Sequence, residues 1–131
     1  MQIAQDLADE MVAHAREDLP NECCGMVGGT DGVAATVYRA ENAEASPFRY
    51  SISAQEQFRL MKELEAGGEE LVAIYHSHTK SAAYPSQTDV NLAGWPDAVY
   101  LIVSLADPET PDLKGFWIRD GRIEGADLVV G

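Results

Sequence analysis

The sequence predicts an α/β fold, a mixed sheet packed by two or three helices. Three observations carry this. Stretches of helical periodicity alternate with apolar runs too short for helices. Two of those runs, Leu71–Tyr75 and Val99–Leu105, are almost continuously apolar, as strands covered on both faces are. Gly, Pro and Asp-Gly punctuate the boundaries between them. The chain has 131 residues, with no repeat, linker or low-complexity tract, so one domain over residues 1–131 is expected.

Asp6–Leu19 reads as an amphipathic helix, with Leu7, Met11 and Ala15 near helical spacing and Val12 and Leu19 less regular. Pro20 closes it, and His14 within it reads as an ordinary, partly exposed histidine. Cys23–Gly29 is short, apolar and Gly-rich, a buried strand. Thr30-Asp31-Gly32 is a hairpin signal, and Val33–Ala40 is the partner strand. Phe48–Ile52 alternates as a third strand. Ser53-Ala54-Gln55-Glu56 has the form of a capping box, which opens a second helix with Phe58, Met61 and Leu64 on one side. Gly67-Gly68 stops that helix. Leu71–Tyr75 is then a central strand, Ser77–Ser86 a polar loop, Thr88–Ala93 a short helix and Val99–Leu105 another buried strand. A loop with Pro108 and Pro111 leads to a strand at Phe116–Ile118, a turn at Asp120-Gly121 and a return at Arg122-Ile123.

Composition limits the partners. Hydrophobic residues at 46% and charged residues at 24% are ordinary for a globular chain and argue against disorder. No apolar run approaches the ~20 residues of a membrane helix, and the first residues carry neither a basic n-region nor an apolar h-region. A cytoplasmic protein with no membrane partner is therefore expected. Twenty-two acidic residues against nine basic ones give a net charge of −13, a field that repels phosphate backbones and excludes nucleic acid as a partner class. Cys23 and Cys24 are adjacent and are the chain's two cysteines. A disulfide between strand neighbours would be strained, so both read as reduced, buried, structural thiols.

The chemistry lies after the central strand. His76 and His78 stand two apart on extended backbone and project to one face, where both imidazoles can meet one ion. Asp89 follows eleven residues after His78, at the start of the short helix, behind a loop long enough to bring the chain back. Two imidazoles and a carboxylate make a three-ligand set with a fourth position open, the arrangement of a catalytic zinc. The same donor set suits non-haem iron. Alone, a His-x-His pair also suits several metal folds, or two polar histidines at a strand end. A cupin would need a further His downstream, a zinc deaminase His-x-Glu with Cys-x-x-Cys, and a binuclear His-x-His-x-Asp-His site fails at Lys80-Ser81.

Ser86 lies three residues before Asp89, giving His-x-His-Thr-x6-Ser-x2-Asp, and upstream Glu22 precedes the Cys23-Cys24-Gly25 strand. In these residues the chain resembles the JAMM (MPN+, JAB-type) zinc metalloproteases, whose pattern is an upstream Glu followed by His-x-His-Pro-x6-Ser-x2-Asp. The resemblance covers essentially the whole chain. It implies the MPN fold, a mixed, mostly antiparallel sheet flanked by helices in a cytidine-deaminase-like arrangement. It implies one Zn2+ per chain on His76, His78 and Asp89, with Glu22 as general acid/base and Ser86 as oxyanion donor. Zinc would supply a nucleophile at neutral pH, and Glu22 would carry its proton to the leaving amine. Ser77 has a weaker claim, as a small residue on the opposite strand face. Thr79 stands where most eukaryotic members carry Pro, and small prokaryotic members acting on ubiquitin-like sulfur carriers look similar here, including Tyr84-Pro85-Ser86. The resemblance therefore implies hydrolysis of the peptide or isopeptide bond after the C-terminal Gly-Gly of a small ubiquitin-like or sulfur-carrier protein, a carrier-cysteine adduct among them. The alternatives are a non-catalytic, metal-stabilised module that binds such a protein and an amidase acting on small molecules. Oligomeric state is not readable.

Overall fold

In the computed structural model, which describes all 131 residues, three helices flank one eight-stranded sheet. The elements run β1 (Gln2–Ile3), α1 (Gln5–Glu17), β2 (Cys24–Thr30), β3 (Val33–Ala40), α2 (Ala54–Ala66), β4 (Glu70–His78), α3 (Gln87–Leu92), β5 (Val99–Ser104), β6 (Asp112–Arg119), β7 (Arg122–Ala126) and β8 (Val129–Val130). The sheet order is β7-β6-β5-β4-β2-β3-β1-β8. The long ladders are antiparallel except β4–β5, which is parallel and needs a crossover; the chain from 79 to 98, with α3, supplies it.

Strand alternation sorts the core. Ala73 and Tyr75 of β4, with Leu101 and Val103 of β5, join Met11 and Ala15 of α1 on one face. Ile74, Tyr100, Ile102 and Phe116 cover the other face, where Cys24 and Met26 of β2 pack with Leu60 of α2. His76 and His78 share the parity of Ile74 and so belong to this second face. No helix is long and apolar enough to cross a membrane.

Several expectations are corrected. Phe48–Ile52 is not a strand. Asn42 is buried in the preceding segment and bonds the Glu44 and Ser51 amides and the Arg49 carbonyl, which folds residues 42–51 into a loop. In α2 the buried positions are Leu60 and Leu64, whereas Phe58 is 65% exposed with the Lys62 ammonium over its ring. His14 is 4% exposed rather than partly exposed; its Nδ1 lies 2.7 Å from the Tyr75 hydroxyl and its Nε2 lies 3.3 Å from Asp18. β1 and β8 were not foreseen, because two-residue strands carry no period to read.

Tyr75 is fully buried and is cross-strand partner to Gly25. A Cβ at Gly25 would meet the Tyr75 ring and come within 2.6 Å of the Tyr38 carbonyl oxygen. The glycine is thus required by close approach. Gly25→Ala should cost about 1–3 kcal/mol of stability by overpacking, read as a lowered urea midpoint at constant m-value. An unchanged midpoint would mean that the Tyr75 ring has room to move.

Candidate metal centre

The register of β2 on β4 sets the site. Cys24 pairs with His76, so Glu22, two residues before Cys24, falls beside His78 on the same face. Ser77 locks that alignment from the opposite strand face. Its hydroxyl accepts from the Cys23 amide at 2.8 Å, and its own amide donates to the Cys23 carbonyl at 3.1 Å. Asn42 holds the residue before, donating to the Glu22 carbonyl at 3.0 Å, while the Glu22 amide donates to the Ser46 carbonyl at 2.9 Å. Ser77 thus positions Glu22, and Asn42 does so without having been singled out from the sequence.

Asp89 arrives on α3. Ser86 is the N-cap: its hydroxyl accepts from the Asp89 amide at 3.0 Å, and its amide donates to Asp89 Oδ2 at 2.9 Å, a complete capping box. Asp89 Oδ2 lies 3.1 Å from His76 Nε2 and 3.0 Å from His78 Nε2, and the two Nε2 atoms are 3.2 Å apart. All three side chains are buried, His76 at 1% exposure. Tyr50 stacks on the His76 ring with centroids 4.4 Å apart.

These atoms fit a cation. Ligands ~2.0–2.1 Å from a tetrahedral ion stand about 3.3 Å from one another, close to the separations seen here. The His78 Nδ1 is 2.8 Å from the Ala82 carbonyl, so that nitrogen carries the proton and Nε2 presents its lone pair to the Asp89 carboxylate. Two electron-pair donors facing each other in a buried place require a positive charge between them, a proton or a metal ion. Without a metal the proton serves. Burial lowers the His78 pKa, but the hydrogen bonds to Asp89 and Ala82 outweigh it and hold His78 above the ordinary histidine value. Burial alone would raise Asp89, yet its bonds to His76 and His78 hold it far below the carboxylate range. Burial dominates at His76 and depresses its pKa.

Glu22 is 4% exposed, and its Oε1 has no hydrogen-bond partner in the protein. Burial pushes its carboxyl up to about 7, with His78 opposing the shift. Glu22, His78 and Ser86 line one cleft of about 690 Å³. A buried carboxyl poised to exchange a proton, beside a three-ligand cluster, has the chemistry of metal-assisted hydrolysis. Cys23 and Cys24 are free and buried, and burial raises both thiols, Cys23 to about 12, which suits structural roles. All five site residues read from the sequence come together, with Glu22 and Ser86 flanking His76, His78 and Asp89.

The family described as prokaryotic homologs of the JAB domain matches residues 4–119. The CysO-cysteine peptidase of Mycobacterium tuberculosis is 44% identical over 123 residues, 92% of this chain and 84% of that protein. The desampylase of Haloferax volcanii is 38% identical over 112 residues, 79% of this chain and 80% of its own. A protein of Desulfitobacterium hafniense solved in solution superposes with a TM-score of 0.91 at 35% identity, over 100% of this chain and 93% of its own. A JAB1/MPN domain protein of Archaeoglobus fulgidus superposes at 0.61 over 98% and 99% of the two chains; at 16% identity that likeness concerns the fold.

The cap has its own test. Ser86→Ala removes the acceptor for the Asp89 amide and should cost about 1 kcal/mol, read as a lower melting temperature of the metal-free protein. An unchanged melting temperature would mean that the Asp89 side chain alone holds the start of α3.

Proposed function

Because the chain belongs to the prokaryotic homologs of the JAB domain, we propose that it is a zinc-dependent peptidase. It hydrolyses the bond after the C-terminal Gly-Gly of a small ubiquitin-like or sulfur-carrier protein. The observation that carries this is the convergence of His76 Nε2, His78 Nε2 and Asp89 Oδ2 within 3.2 Å of one another, beside the unpartnered carboxyl of Glu22. The names of the mycobacterial and haloarchaeal relatives support the substrate class.

His76, His78 and Asp89 would hold one zinc per chain. When bound, the ion supplies Lewis-acid polarisation and a nucleophile ionised near neutral pH. Glu22 accepts the proton of the attacking water and delivers it to the nitrogen of the leaving amine. Its burial suits both halves of that exchange, because a carboxyl near neutrality gives up a proton as readily as it takes one. The Ser86 hydroxyl accepts from the Asp89 amide, so its own proton remains to donate to the developing oxyanion. Capping and oxyanion binding use different ends of the same hydroxyl. A Gly-Gly tail suits the approach, since without side chains its carbonyl can enter a narrow site.

Two predictions follow from the assigned roles. His76→Ala, His78→Ala and Asp89→Ala should each bind zinc far more weakly than the wild type, measured by elemental analysis after gel filtration. Full zinc content in all three would place the ion elsewhere. Glu22→Gln should keep its zinc but lose about 10²–10⁴-fold in kcat on a carrier protein extended beyond Gly-Gly. Loss of zinc from Glu22→Gln would make Glu22 a ligand instead of a base.

A further inference from the structure

The two histidines of the centre are oriented by different means. His78 donates through Nδ1 to the Ala82 carbonyl at 2.8 Å, which fixes the plane of its ring and aims Nε2. His76 has no such anchor: its Nδ1 is buried and has no hydrogen-bond partner. Strand pairing to Cys24 on one side and Ile102 on the other holds the His76 backbone. It does not fix rotation of the ring about the Cβ–Cγ bond, a torsion that is soft by itself. The lone pair of Nε2 lies in the ring plane, so a ligand with an unfixed plane is poorly aimed.

The ring of Tyr50 meets this need. It stacks on His76 with centroids 4.4 Å apart and planes 21° apart. Tyr50 is itself held from both sides by one side chain. Asn42 accepts from the Ser51 amide at 3.2 Å and donates to the Arg49 carbonyl at 3.0 Å, the two residues that flank Tyr50. The stack also responds to charge. A phenol ring presents a negative face, and coordination draws electron density out of an imidazole. The contact is therefore stronger on a metal-bound imidazole than on a neutral one, as with any cation over an aromatic face.

Resting on the zinc reading above, we propose that Tyr50 is a positioning residue of the metal centre, its ring doing for His76 what the Ala82 carbonyl does for His78. Loop 42–51 thereby belongs to the centre although it contributes no ligand. Asn42 also donates to the Glu22 carbonyl, so the aim of one ligand and the placement of the acid/base share a single seat.

The test is zinc affinity, measured by competition with a chromophoric chelator at a temperature where circular dichroism shows each variant folded. Tyr50→Leu and Tyr50→Ile keep an apolar side chain but lose the stack, and each should bind zinc roughly tenfold more weakly or worse. Two such variants are used so that failure of one to fold leaves the other. Tyr50→Phe keeps the ring and should bind within about twofold of wild type. Tyr50 and Trp95 line the same apolar pocket of about 190 Å³, so Trp95→Leu loosens that pocket while leaving the stacked pair in place. Its zinc affinity should be that of wild type. With Co2+ in place of zinc, the visible bands should shift in Tyr50→Leu and overlay those of wild type in Tyr50→Phe. Wild-type affinity in Tyr50→Leu and Tyr50→Ile, or an equal loss in Tyr50→Phe or Trp95→Leu, overturns the role of Tyr50 and leaves the three-ligand centre standing. If the wild type itself binds no zinc, the centre falls, and the role of Tyr50 with it.

Discussion

Two imidazole nitrogens and one carboxylate oxygen, all electron-pair donors, are held within 3.2 Å of one another where water scarcely reaches. Without a positive charge among them, a proton or a metal ion, they repel. That this arrangement is the folded state means that other interactions enforce it, and most of the neighbouring structure can be understood as that enforcement. The parallel β4–β5 pair demands a crossover, and the crossover lays α3 over the face to which the histidines point. The capping box aims Asp89 Oδ2 inward, and the Ala82 carbonyl fixes the His78 tautomer. Ser77 and Asn42 align the strand that delivers Glu22. A cation placed among the three donors turns repulsion into coordination.

Much of this was legible in the sequence because it is written in short-range spacing. His76 and His78 share a face by the period of a strand, and Ser86 with Asp89 is a helix-start pattern as well as part of a metal motif. Glu22 was legible through the family resemblance, which the family match bears out. The α/β class followed from Leu71–Tyr75 and Val99–Leu105, runs long enough to be strands and too short to be helices.

What was not legible depended on distant partners. The alternation at Phe48–Ile52 imitates a strand, but Asn42 satisfies the backbone there and no sheet neighbour is needed. Phe58 has helical spacing with Met61, yet the face of α2 that meets the sheet is set by where β2 and its glycines lie; Leu64 packs close to Gly28. His14 looked solvent-facing because nothing near it in sequence foretells the Tyr75 hydroxyl, sixty-one residues away.

The capping box has one more consequence. α3 has six residues, fewer than a helix needs to persist alone. Its first turn is ordered by the same Oδ2 that faces the two histidines. Ion affinity and helix order are therefore two faces of one equilibrium, linked with equal strength in both directions. A partner that gripped α3 from outside would tighten the ion without touching it, and chelation would loosen the crossover. The candidate metal centre of this chain is thus also a clasp on its least self-sufficient helix.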